Sequence, residues 1–203
     1  LQKMVDELAT DLYFCTELKE IITLLLQHNK AYEKPDNSML PDFPLKLHGI
    51  YTKAQIQVAI GTSTLERKSP SREGVERNKA LNLEAMFVDI IKNREEGSTT
   101  DYDDKALSPN LFQWDTQNRV KPESQEGQAY INQTQTMLLF VREQKNFAED
   151  KSRTMGYVYL GRVTLHQWQY KHVGTRMQMQ IVWNMIEPIP GSVMHFARIK
   201  EIA

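Results

Sequence analysis

Apolar residues recur at helical spacing from the first position onward: Leu1, Met4, Val5, Leu8 and Leu12, then Leu18, Ile21, Ile22, Leu25 and Leu26 after a short interruption near Cys15 and Thr16. The spacing predicts two helices, or one kinked helix, from Leu1 to about Asn29. The pattern starts without a capping residue, and a helix this short is marginal in water without a surface to pack on. The segment therefore reads as a boundary inside a longer protein, its apolar stripe docking on a neighbouring domain or a second copy. From Tyr32 to Pro44, three prolines accompany Asp36, Asn37 and Ser38. Proline removes backbone donors and the small polar residues favour turns, so this stretch reads as a linker. The chain divides accordingly into a helical docking segment (1–31), a linker (32–44) and a main domain (45–203).

The main domain opens with a capping-box pattern. Thr52 precedes Gln55 by three positions, Ile56, Ala59 and Ile60 form an apolar side, and Gly61 supplies the stop. A polar stretch from Thr62 to Gly74, basic at Arg67, Lys68 and Arg72, follows as a mobile surface loop. The period then changes. Leu83 to Ile91, Leu111 to Trp114, Met137 to Val141, Tyr157 to Val163 and Met179 to Ile186 are short apolar or alternating runs rich in β-branched and aromatic residues, which predicts at least five strands. Ser124 caps a helical turn through Tyr130 between the second and third. Two prolines in Glu187-Pro188-Ile189-Pro190-Gly191 end the last strand. Regular intervening helices are missing, so the expected class is α+β: an N-terminal helical segment, then a twisted, mostly antiparallel sheet or partial barrel with short helices.

Composition narrows the function classes. One cysteine, Cys15, leaves no internal disulfide framework and no cysteine-based zinc cluster, which fits a reducing, cytoplasmic setting. No apolar run approaches the roughly 20 residues that a spanning helix needs, so no membrane partner is expected. Lys plus Arg (25) and Asp plus Glu (26) nearly cancel, so a polyanion would have to be held by a local patch and not by net charge.

Several ordered blocks resemble one bacterial family: Pro44 to His48, Tyr51 to Ile56, Leu111-Phe112-Gln113-Trp114-Asp115-Thr116-Gln117, Ser124 to Tyr130, Leu138 to Lys145, Tyr159-Leu160-Gly161 and Glu187 to Pro190. It is the domain of unknown function found at the C-terminus of DEAD/DEAH-box helicases that often also carry a phospholipase-D-type nuclease. The resemblance spans about Pro44 to Ala197. Gln113 stands where the family often has histidine, Asp115 where an amide or Glu is common, and the loop after Gly61 is atypical. The family's company implies a restriction-modification or antiviral defence machine, with helicase and nuclease domains of the parent protein as partners. The motor and nuclease lie elsewhere, because this chain has no Gly-rich loop ending in Gly-Lys-Ser/Thr and no His-x-Lys signature.

What remains is recognition, docking or catalysis of another kind. For a DNA reader, Trp114, Gln117, Arg142, Gln144 and Lys145 sit at predicted strand ends, and Trp168, Tyr170, Lys171 and Arg176 form an aromatic-basic loop. Amides and guanidinium groups read base edges, cations hold phosphates, and an exposed aromatic stacks on a base. Duplex, strand ends and modified bases all stay open as ligands. A protein-docking or homo-oligomerisation module is the alternative. A third reading is a metal-dependent restriction-type nuclease in which Asp115 and Glu143 hold the metal and Lys145 positions the water. No cofactor is expected. The five histidines show no i, i+4 pairing, and Asp101, Asp103 and Asp104 lack the spacing of a calcium loop, so no metal site is expected either.

Overall fold

The computed structural model describes residues 6, 8–30, 43–64, 66–70, 74–91, 103–173 and 176–198, with the side chains of 25–30, 173 and 176 excepted. The chain divides into two units, residues 1–35 and 36–203. The linker expected over 32–44 lies outside the described residues except for Phe43 and Pro44.

In the first unit, helix α1 (Leu12–Lys30) runs uninterrupted through Cys15 and Thr16. The break falls earlier, at Thr10 and Asp11. Asp11 Oδ1 accepts the backbone N–H groups of Tyr13 and Phe14 at 3.0 Å each, satisfying first-turn donors that a helix leaves open. Thr16 stays in the helix by bonding its hydroxyl back to the Leu12 carbonyl, 2.8 Å away. Leu18, Ile21 and Ile22 are exposed.

The second unit contains β1 (Ile50–Tyr51), α2 (Lys53–Ala59), β2 (Val75–Asn78), β3 (Leu83–Ile91), β4 (Lys105–Ser108), β5 (Leu111–Asp115), α3 (Gln125–Ile131), β6 (Thr136–Gln144), β7 (Tyr157–Val173), β8 (Arg176–Met185) and α4 (Gly191–Ala197). The strands form one mixed sheet in the order β2-β3-β6-β7-β8-β5-β4, with β1 pairing the start of β7. Among the described residues only β3 and β6 run parallel, Leu83 facing Thr136; the other pairings are antiparallel. The sheet is open, which settles the choice between sheet and barrel.

Strand periodicity sorts the core into two. On β3, Met86 and Val88 join the larger cluster with Leu139, Ile181, Trp183 and Phe112, roofed by Tyr130 of α3 and Val193 of α4. Leu83, Ala85 and Phe87 point the other way, into a smaller cluster with Leu138, Phe140 and Tyr159 beneath Ile56 and Ile60 of α2. The capping box of α2 is present: Thr52 N–H donates to Gln55 Oε1 at 2.8 Å and Gln55 N–H to Thr52 Oγ1 at 3.3 Å. Gly61, with φ of 72°, turns the chain out of that helix in the left-handed region that only glycine enters without strain.

Strand β7 runs ten residues past the predicted end at Val163. Trp168, Tyr170 and Lys171 therefore lie in a strand facing Ile181, Met179 and Gln178 of β8, not in a loop. Polar and aromatic residues alternate there without an apolar run, so local periodicity misreads a well-paired hairpin as a connector.

Candidate nucleic-acid interface

Among the described residues strand β2 is one of the two edges of the sheet, β4 being the other, and its side chains alternate across it. Arg77 faces Glu84 of β3 on one side of the sheet; Glu76 faces Ala85 on the other. Glu84 is fully buried, an arrangement that requires partners for its carboxylate. It has three: the Tyr130 hydroxyl donates to Oε1 at 2.6 Å, the Gln135 amide donates to Oε2 at 2.7 Å, and the Arg77 guanidinium is ion-paired to Oε2. Burial pushes the Glu84 carboxyl above the usual carboxylate range, against the opposing pull of Tyr130 and Arg77. Burial, and then the neighbouring carboxylate, push the Tyr130 phenol upward as well. The result fixes the plane of the Arg77 guanidinium at the sheet edge.

Helix α3 reaches this edge through a close approach of backbones. Ser124 caps it by accepting the Gly127 N–H at 3.1 Å. A Cβ on Gly127 would stand 2.0 Å from the Lys121 carbonyl oxygen, so only glycine lets the preceding turn fold under the helix. That placement carries Glu126 of the first turn and Arg119 of the preceding loop toward Arg77.

The free edge, α3 and the segment after Gly61 enclose two hollows. The larger, about 840 Å³, is lined by the cations Arg67, Lys68, Arg77, Lys79 and Arg119, with Glu76, Glu84 and Glu126 among its other walls. All five basic residues are exposed. The smaller, about 430 Å³, is lined chiefly by amides, including Asn82, Gln125, Gln128, Asn132 and Gln135. Arg77, Asn78 and Lys79 line both, so the two form one groove. Such a groove offers charge for phosphates beside hydrogen-bonding groups for base edges.

The residues expected to bind DNA are split between the sheet's ends. Arg142 is buried, its guanidinium bidentate to Asp89 at 2.7 and 2.9 Å, bonded to the Met155 carbonyl at 3.0 Å and 4.1 Å above the Tyr157 ring. Its donors are committed inside the fold. Gln144 is half-buried and Lys145 exposed at the same end, where the Met155 N–H bonds the Lys145 carbonyl. Trp168 (39% exposed), Tyr170 and Lys171 lie far along β7, roughly 40 Å away at about 3.3 Å per residue. Gln117 follows β5 at the hairpin end, next to Thr116, whose N–H bonds the Met179 carbonyl. The side chain of Arg176 lies outside the described residues. Trp114 is core, packed against Tyr130 and Trp183 with ring centroids 5.5 and 6.3 Å apart, so neither face is open to a base.

The nuclease constellation is likewise separated. Asp115 faces Gln180, which faces Gln169 of β7, whereas Glu143 and Lys145 lie beyond Val141, which faces Val158. The distance is roughly 35 Å along β7, an order of magnitude beyond what a shared metal ion allows. Both oxygens of Asp115 are engaged, one by the Gln180 amide and one by the Asp103 N–H, at 2.7 Å each. Among the described residues no group of three or more His, Cys, Asp or Glu could hold a metal ion, and no helix is long and apolar enough to cross a membrane.

The groove was missed because its cations come from three separate segments of the chain, at Arg67 and Lys68, at Arg77 and Lys79, and at Arg119. Arg67 and Lys68 registered only as a basic loop. Arg77 and Lys79 belong to a four-residue strand, Val75-Glu76-Arg77-Asn78, and its following turn, with no apolar run to announce them.

The chain belongs to the family described as Domain of unknown function (DUF3427), whose sequence pattern matches residues 45–196. No curated protein matches the chain significantly in sequence.

Proposed function

With that membership as premise, we propose that this domain recognises DNA for a bacterial restriction- or defence-type helicase-nuclease and leaves the chemistry to its partner domains. The helicase and nuclease company is what the family resemblance implies. The observation that carries DNA recognition is the groove at the β2 edge. In a chain with a net charge of −1, it brings five exposed cations to one place and sets them beside an amide-lined hollow. A local patch of that kind is what a near-neutral protein needs in order to hold a polyanion.

Titration of labelled single-stranded and duplex DNA at several salt concentrations tests this. Five cations set a limit of about −4 on the slope of log affinity against log salt, at about 0.7–0.9 per phosphate neutralised. Lys68→Ala and Lys79→Ala should each lower affinity and flatten the slope by about 0.7–0.9. Lys171→Ala, on the distant hairpin, should match the wild type. Loss confined to Lys171→Ala and Trp168→Ala would move the DNA to the hairpin, and failure to bind any DNA would replace recognition with protein docking.

A further inference from the structure

We propose that the outer half of β7 is a dimerisation edge, to which a second copy of this chain adds the same strand, antiparallel, about a two-fold axis at Tyr170. This goes beyond the DNA reading above and does not depend on it.

The terminal strands of the sheet are poor templates for such pairing. Both β2 and β4 are four residues long. Strand β2 carries the ion-paired Arg77, and β4 is bulged between Ala106 and Ser108. Shortness, charge and bulges are the devices that keep an edge from recruiting another strand. The longer edge lies inside the strand order. Strand β6 accompanies β7 only as far as Val163, and the Leu165 N–H is taken by Gln133 Oε1 at 2.8 Å. After a bulge between Leu165 and Gln167, β8 pairs with residues 167–173 in unbroken register on one side. On the other side no strand lies among the described residues. Seven residues present about 20 Å of backbone there, at about 3.3 Å per residue. Gln167, Trp168, Gln169 and His172 are exposed, and the run contains neither proline nor a carboxylate.

The residues of this edge say which strand fits it. Residues opposite one another in a sheet point to the same face, so a two-fold antiparallel pair of identical strands centres on a residue, never between two. Centring on Trp168 or Gln169 drives the pairing into the bulge before Gln167. Centring on Lys171 sets two ammonium groups opposite each other, which disfavours it. Centring on Tyr170 uses all seven residues. Tyr170 then opposes its own copy and Trp168 opposes His172, which aligns aromatic rings on one face. Gln169 opposes Lys171 on the other face. Lys171 is the one Lys, Arg, Asp or Glu in the run, so no like charges meet. The edge complements its own sequence, and the second copy that supplies the partner strand is related by the two-fold symmetry commonest in dimers.

The test is sedimentation velocity on the full 203-residue chain, without DNA, across a wide range of concentration. The mass should double as concentration rises. Amide hydrogen exchange of the wild type should slow over residues 167–173 in step with that doubling, a readout that needs no variant. Gln169→Lys sets lysine opposite Lys171 twice per dimer and should weaken association about three- to tenfold. Adding Lys171→Glu to that variant should restore the affinity, because the two contacts become opposite-charge pairs. In a register centred on Gln169, the two introduced lysines would face each other and Lys171→Glu would restore nothing. A monomer at every concentration would overturn the proposal. So would a dimer whose exchange at 167–173 does not change with association, or one that Gln169→Lys leaves as tight as wild type, either of which would put the contact on another surface. Weakening by Gln169→Lys that Lys171→Glu fails to restore would overturn the axis at Tyr170.

Discussion

Replacing Tyr130 by Phe removes one oxygen atom from the buried heart of the groove and little else. The ring keeps its edge-on contacts with Trp114 and Trp183, at centroid distances of 5.5 and 6.5 Å. What disappears is the 2.6 Å bond to Glu84 Oε1, leaving a fully buried carboxylate with donors on only its other oxygen. A hydrogen bond to a charged group contributes about 1.5–3 kcal/mol, and an unsatisfied buried acceptor is at the upper part of that range. For a chain of this size about 2 kcal/mol corresponds to a fall in Tm of about 4–8 °C. Near-ultraviolet circular dichroism follows the melt, since the two tryptophans beside Tyr130 report on its packing. A double-mutant cycle with Glu84→Gln should return a coupling of at least about 1 kcal/mol, because the two groups share one bond. The penalty should also shrink in acid, where the Glu84 carboxyl is protonated and needs its donors less. Tyr130→Phe melting within about 0.5 kcal/mol of wild type at neutral pH, with no coupling to Glu84, would refute this account of what anchors the groove.

Glu84 itself sets a pH dependence. Its carboxyl titrates higher in the folded protein than in the unfolded chain, so the stability it contributes is present in acid and is lost as pH rises through the folded value. The Tm of wild type relative to Glu84→Gln should therefore fall between about pH 4 and neutrality; a constant difference would show that the carboxyl is not perturbed. Arg142→Ala should destabilise the fold by about 2–3 kcal/mol, since it strands the partly exposed Asp89 and empties the space over Tyr157, yet leave the salt dependence of DNA binding unchanged. A flattened slope for that variant would return Arg142 to the interface. Gly127→Ala should cost about 1–3 kcal/mol, because its Cβ collides with the Lys121 backbone, and wild-type melting would show that the turn yields freely.

Features coded within a few neighbouring residues were legible in the sequence: the Thr52–Gln55 capping box, the stop at Gly61, the Ser124 cap, and the buried strands β3, β5 and β6, whose dense apolar runs have no other place to go. The α+β class follows from those elements, and membership of the DUF3427 family from the order of the blocks between residues 45 and 196. Partnership was not legible. The second half of β7 is strand because β8 folds back on it, and its own alternation of Gln, Trp and Tyr only permits that outcome. Trp114 is a core residue because Tyr130 and Trp183 close over it, although locally it looks like a stacking platform. Arg142 is an internal strut because the parallel pairing of β3 with β6 sets Asp89 opposite it, 53 positions earlier in the chain. The groove depends on the same kind of long-range register: Arg77 meets Glu84 across a strand pair, and Tyr130 and Gln135 arrive from beyond two further strands. Short-range spacing specifies which face of an element is apolar, whereas a site made of charges is assembled by whichever distant strands happen to be neighbours in the sheet.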